Sequence, residues 1–188
     1  MHPTGNSGEE SRFSSTEEMC MNRETYQKMT QPFRDNPKLA KSIHILNKLL
    51  TGLVFASYPV LLLYLLWNRS NALYMSIVVP LDGFLIVSAF RYLFNRRRPY
   101  ERFDLAPVIP KDTKGKSFPS RHVFSAAVIA GTFLVQSEPV LVLWGMILMV
   151  AALLLGVIRV LSGVHFISDV VAALVCAGIG WVSYGIWL

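Results

Sequence analysis

The stretch Val140-Leu-Val-Leu-Trp-Gly-Met-Ile-Leu-Met-Val-Ala-Ala-Leu-Leu-Leu-Gly-Val-Ile158 contains no charged residue. Its length matches the ~20 residues that a helix needs to cross the hydrocarbon core of a bilayer. A membrane barrel would instead show strands of about ten residues with alternating polarity, whereas this run is apolar all round. Working outward, Val170 to Leu188, Ala72 to Phe90 and Leu49 to Trp67 read the same way, with Asp82 the only charge in the four runs. A fifth run, Pro119 to Val135, is shorter and carries Ser125, Ala126, Ala127, Ala130 and Gly131, small residues suited to close helix packing. The expected fold is therefore an all-α integral membrane helical bundle of about five transmembrane helices.

Composition agrees with that expectation. The 188 residues are 53% hydrophobic and 16% charged, with a mean hydropathy of +0.42, which excludes disordered, collagen-like and disulfide-scaffold chains. Most of the charge falls before Leu49 or between Arg91 and Arg121. The net charge of +6 invites a nucleic-acid reading, but a DNA-binding domain does not also carry several bilayer-length apolar runs. Cys20 and Cys176 belong to no spaced set, so neither a zinc site nor a disulfide framework is expected. No cleavable signal peptide is apparent.

Residues 1–42 read as a polar, weakly ordered tail or cap, and 43–188 as the bundle. Ile43, Ile45, Leu46, Leu49, Leu50 and Leu53 recur at helical spacing and predict an amphipathic lead-in continuous with the first span. Ser15 and Glu18 match a capping box ahead of Met19 to Met29. Asp82, costly in lipid, should face the bundle or pair with an arginine. Alternation of five spans places the tail, the long loop from Arg91 to Phe118 and the connection around Ser162 on one face.

That face collects the ionisable groups in three clusters. In Arg91-Tyr-Leu-Phe-Asn-Arg-Arg-Arg98-Pro99, the seven-residue spacing puts Arg91 and Arg98 on one side of a helix that Pro99 would end. The pair reads either as a phosphate clamp or as a basic patch touching lipid headgroups. Ser117-Phe-Pro119-Ser120-Arg121-His122 opens the small-residue helix, as an anion site with a titratable His122 or as a simple N-cap. In Arg159-Val-Leu-Ser162-Gly163-Val-His165-Phe-Ile-Ser-Asp169, the spacing puts His165 and Asp169 on one helical face. There a carboxylate can orient and charge-stabilise an imidazole. The pair is half of a nucleophile-activating set or a structural hydrogen bond. Gly163 permits a tight bend.

Together the clusters resemble the signature of the type 2 phosphatidic acid phosphatase superfamily, KxxxxxxRP, PSGH and SRxxxxxHxxxD. Here it reads RYLFNRRRP, PSRH and IRVLSGVHFISD, in the same order. Arg91 stands in place of the lysine, Arg121 of the glycine and Ile158 of the serine. The resemblance covers about residues 43–188 and implies a metal-independent membrane phosphatase with no cofactor, acting on a lipid phosphate in the bilayer. It implies His165 as nucleophile, Asp169 as its orienting carboxylate and His122 as general acid and base. Arg91, Arg98, Ser120, Arg121 and Arg159 would bind the phosphate. A polyprenyl diphosphate is the favoured substrate, with phosphatidic acid and phosphatidylglycerol phosphate as alternatives. A phosphotransferase using the same site and a lipid-binding protein without turnover are the other readings.

The resemblance also implies a plasma-membrane protein with an extracytoplasmic site. Seven Lys or Arg precede Leu49 and nine lie from Arg91 to Arg121. By the positive-inside rule these point to the cytoplasm, although Arg91, Arg98 and Arg121 have a catalytic explanation.

Overall fold

The computed structural model describes residues 22–111 and 113–187. Among the described residues there are seven helices and no strand: α1 Arg23–Asp35, α2 Pro37–Trp67, α3 Ala72–Phe94, α4 Pro99–Phe103, α5 Arg121–Leu134, α6 Pro139–Leu161 and α7 Ile167–Trp187. The Ser15 and Glu18 capping box lies outside the described residues. Helices α2, α3, α6 and α7 are long and apolar enough to cross a membrane, and the chain is an all-α membrane bundle.

The short fifth run is its hub. Helix α5 has 14 residues, about 21 Å at 1.5 Å per residue and less than the ~30 Å hydrocarbon core. Val123 through Phe133 are all buried, with α2, α3, α6 and α7 packed around them. Small side chains make the enclosure possible. A Cβ on Gly145 of α6 would lie 2.9 Å from the Leu134 backbone nitrogen and from the Phe133 Cβ, so the α5 and α6 backbones meet there only because no side chain intervenes. On α6, Gly145, Leu148, Ala152, Leu155 and Gly156 face inward, while Val140, Leu143, Ile147, Val150, Leu154 and Val157 face lipid. This is the helical period of a bundle helix seen from both sides.

Helix α2 includes the amphipathic lead-in, as its continuous 31 residues show. At about 46 Å it exceeds the hydrocarbon core by several turns. Asn36 caps it, accepting from Lys38 N–H at 3.0 Å, with Pro37 at the first helical position.

Residues 22–36, expected to belong to a weakly ordered tail, are instead structured from Asn22 onward. The Asn22 side chain accepts the Thr25 N–H at 2.8 Å, and the face of α1 carrying Tyr26 and Thr30 is buried. Tyr26 is only 1% exposed. Its hydroxyl donates to Gly163 O at 3.4 Å, and its ring packs 5.3 Å from that of Phe103. Polar composition hid this docking, because only a narrow stripe of Tyr26, Met29 and Phe33 interrupts it. Gly163, at φ +71°, makes the bend that the sequence asks of it, and a Cβ there would collide with the Tyr26 ring. Gly163→Ala should lower stability by about 1–3 kcal/mol through left-handed strain and the clash together. Thermal unfolding in detergent reads the shift, and an unchanged midpoint would show that α1 does not constrain this turn.

Two expectations are corrected. Helix α3 does not run to Pro99: it ends at Phe94, where Asn95 adopts a left-handed conformation (φ 34°) and closes the helix, and Pro99 starts α4 instead. Arg91 and Arg98 therefore do not share one helix face. Asp82 neither faces the bundle interior nor forms an ion pair among the described residues. It is exposed and lines a groove of about 520 Å³ between α3 and α7, with Gly83, Phe90, Phe118, Pro119 and Ser183.

Candidate active site

The turn between α6 and α7 carries His165. The ring is 3% exposed and Asp169 is fully buried, with His165 Nδ1 3.2 Å from Asp169 Oδ2. They do not meet along a helical face: His165 precedes α7 and Asp169 sits in its first turn. The carboxylate folds back over the helix start, accepting the Phe166 N–H at 3.0 Å on the same oxygen. With Nδ1 turned to a carboxylate, the imidazole carries its proton there and presents Nε2 as the lone-pair nitrogen.

Two residues that the motif reading left without a role complete this support. Ser117 is buried; its hydroxyl donates to Asp169 Oδ2 and lies 3.4 Å from His165 Nδ1. Arg96 donates to Asp169 Oδ1 at 2.7 Å and to Ser168 Oγ at 2.9 Å, with its guanidinium 4.4 Å from the Phe166 ring centroid. Both lie inside stretches that the sequence singled out. Only the tertiary fold shows that they point at Asp169.

The residues expected to bind the anion divide by geometry. Arg98 is 3% exposed; it donates from Nε to Gly115 O at 3.1 Å and from Nη1 to Val164 O at 3.2 Å. It thereby ties the long loop to the turn that carries His165. Arg91 donates from Nη1 to Pro119 O at 2.6 Å and to Ser117 O at 3.3 Å, bracing the segment ahead of α5. Arg159 and Ser120 are buried, and Arg159 Nε and Ser120 Oγ have no hydrogen-bond partner. Ser120 precedes α5 without capping it, and its backbone N–H donates to Asp169 O at 3.0 Å. The loop before α5 is thus pinned to the start of α7.

His122 is half-buried in the first turn of α5 and lies within electrostatic reach of His165 and Arg159. Arg121 is exposed, with its guanidinium 5.4 Å from the Phe84 ring centroid, although its charge still acts on Arg91 and Arg98. Ile158 is buried, and its carbonyl accepts from Ser162 Oγ; the side chain that replaces the motif's serine is packed. Among the described residues no group of three or more His, Cys, Asp or Glu is placed to hold a metal.

Burial lowers the His165 pKa to about 4, with Asp169 opposing the fall and Arg98 and Arg159 adding to it. An unfolded chain takes up this proton near pH 6.5. The folded state's advantage is therefore whole above pH 6.5 and is lost as pH falls toward 4. The unfolding midpoint should drop between pH 7 and pH 4.5, and drop less in His165→Gln. Equal slopes in the two proteins would remove His165 from the linkage.

With the site assembled, the class is that of helical membrane bundles that hold a buried carboxylate–imidazole pair beside several arginines. The model of the PAP2 superfamily matches residues 70–187, and the chain belongs to that superfamily. No curated protein sequence matches the chain at a significant level. Among solved structures, Aquifex aeolicus LpxE is similar at 23% identity with a TM-score of 0.67, over 88% of this chain and 94% of the other. The PAP2 type phosphatidylglycerolphosphate phosphatase from Bacillus subtilis is similar at 22% identity and a TM-score of 0.61, over 88% and 85%. At these identities the likeness is one of fold.

Proposed function

We propose that the protein is a metal-independent phosphatase of lipid phosphates or diphosphates, acting through a phosphohistidine on a polyprenyl diphosphate. The observation that carries the reading is a pair of buried polar atoms without partners, Ser120 Oγ and Arg159 Nε, in a ring of arginines beside a carboxylate-held imidazole. Buried polar groups in native proteins are hydrogen-bonded, and a tetrahedral oxyanion supplies both missing acceptors.

In this reaction His165 Nε2 attacks phosphorus in line while Asp169 stabilises the charge gained by the ring. Arg91, Arg98, Arg159, Ser120 and the N–H groups opening α5 hold the equatorial oxygens, the electrostatic work that phosphoryl transfer chiefly needs. Arg121 adds its backbone N–H and a more distant charge. His122 protonates the departing oxygen, then takes a proton from the water that releases phosphate. The apolar groove between α3 and α7 reaches Phe118 and Pro119, the latter next to Ser120, and receives the lipid tail.

In this reading the site faces outward from the plasma membrane, and labelling of Lys114→Cys by an impermeant thiol reagent on intact cells tests the side. The function itself is tested by phosphate release in detergent with EDTA present, across a polyprenyl diphosphate, phosphatidic acid and phosphatidylglycerol phosphate, with vanadate as inhibitor. Release from one lipid that resists EDTA and stops with vanadate supports the reading. No release from any of them rejects it for these substrates.

A further inference from the structure

The long loop brings a lysine that belongs to none of the three motifs to the edge of the phosphate site. Lys111 is partly buried and lies in the field of Arg98, Arg159, Arg91 and Arg121. Its charge is also felt at His122. Burial and those four guanidiniums lower its pKa, and no carboxylate among the described residues forms an ion pair with it. A lysine held beside four like charges is destabilising unless an anion lies between them.

The surroundings have room for that anion. Lys111 lines a cavity of about 880 Å³ with Arg97, Tyr100, Glu101, Asp104 and Lys114. Glu101 is already committed, accepting from Arg98 N–H at 2.8 Å and from Gly115 N–H at 2.9 Å. Gly115 O in turn accepts from Arg98 Nε, so the cavity shares a wall with the phosphate site. The single carboxylate at the centre, Asp169, is taken by Arg96, Ser117 and His165. Five cationic side chains, Arg91, Arg98, Arg121, Arg159 and Lys111, are therefore gathered where a phosphate monoester would bring about two negative charges.

We propose that Lys111 and the adjoining cavity form a second anion subsite, which binds the lipid-proximal phosphate of a diphosphate substrate while the distal phosphate sits against His165. This rests on the phosphatase reading and narrows its substrate to lipid diphosphates. In the chemical step the bond from His165 Nε2 to the distal phosphorus forms as the bond from that phosphorus to the bridging oxygen breaks. The electron pair leaves with the bridging oxygen on the lipid monophosphate, His122 gives that oxygen its proton, and Lys111 meets the negative charge that the monophosphate keeps. Water then attacks the phosphohistidine, giving its proton to His122 and releasing inorganic phosphate. Lys111 thus stabilises a leaving group that a monoester lacks.

The test uses a prenyl diphosphate and the prenyl monophosphate of the same chain length, with the full chain in detergent. A charge-assisted hydrogen bond is worth about 1.5–3 kcal/mol, so Lys111→Gln should cut the diphosphate-to-monophosphate ratio of kcat/KM by roughly 10- to 100-fold. Lys111→Arg should recover most of it. In parallel, pyrophosphate should raise the unfolding temperature at lower concentration than orthophosphate, and Lys111→Gln should erase that difference. A ratio unchanged by Lys111→Gln, with both lipids still hydrolysed, overturns the subsite and leaves the phosphatase standing. If neither lipid is hydrolysed but the pyrophosphate advantage depends on Lys111, the subsite stands and the phosphatase reading falls. Loss of both overturns both.

Discussion

Replacing His165 with alanine should lower phosphate release by about 10⁴-fold or more, the usual cost of removing a covalent nucleophile. The size follows from what the site lacks as well as what it holds. Apart from Asp169, the charged side chains around His165 are guanidiniums and the Lys111 ammonium, none of them a nucleophile for phosphorus, and in the proposed route His122 only moves protons. The variant should still fold, because Asp169 keeps the Phe166 N–H, the Ser117 hydroxyl and Arg96. It should therefore still be stabilised against heat by orthophosphate while releasing none from lipid. Such a split separates loss of the nucleophile from loss of the site. Activity within tenfold of wild type would reject the phosphohistidine route.

Asp169→Asn should cost nearly as much, about 10³- to 10⁴-fold, by removing the charge that fixes the imidazole tautomer and stabilises its phosphorylated form. Here the effect extends beyond the ring. Asp169 is fully buried and gathers His165, Ser117, Phe166 N–H and Arg96 on its two oxygens. An amide cannot accept from all of them, and the Arg96 guanidinium loses its carboxylate, a change worth about 3–5 kcal/mol when a buried pair is broken. The variant should show both a lower unfolding temperature and a collapsed rate. Ser117→Ala, which leaves the charge in place, should move both in the same direction by much less. Normal stability in Asp169→Asn would mean that Arg96 is held chiefly by its other contacts.

How far the sequence carries the reader depends on whether the information is local. The long spans are legible because an uncharged run of bilayer length has few alternatives, and the small residues of α5 announce close packing. That α5 is enclosed by its neighbours is a tertiary fact. Helix α1 is obscure because the stretch is polar on average, so that the narrow apolar stripe of Tyr26, Met29 and Phe33, at i, i+3 and i+7, is easily passed over. The end of α3 is misread because Pro99 looks like the stop, when Asn95 has already turned left-handed four residues earlier. Spacing within a motif accounts for the meeting of His165 and Asp169, whereas Arg98 and Ser120 reach them across the fold, through Val164 O and Asp169 O. Arg121 is brought to the rim rather than the centre: the helix start faces the site, yet the long side chain reaches Phe84 instead. Ser117, Arg96 and Lys111 stay hidden for the opposite reason. Their partners lie on other elements, up to 73 residues away for Arg96 and Asp169, and no spacing rule links them.

The seat of Tyr26 on Gly163 makes the opening rate of the turn before His165 a property of α1. Gly163 and Val164 donate their amides to Val160 O at 2.9 Å and Arg159 O at 3.2 Å, under a side chain delivered from 137 residues away. Local opening is governed by the contacts that must be broken first, and here the first to go is a polar helix resting on the membrane bundle. The exchange clock of those two amides therefore runs at the pace at which α1 lifts and resettles, while the bundle beneath stays shut.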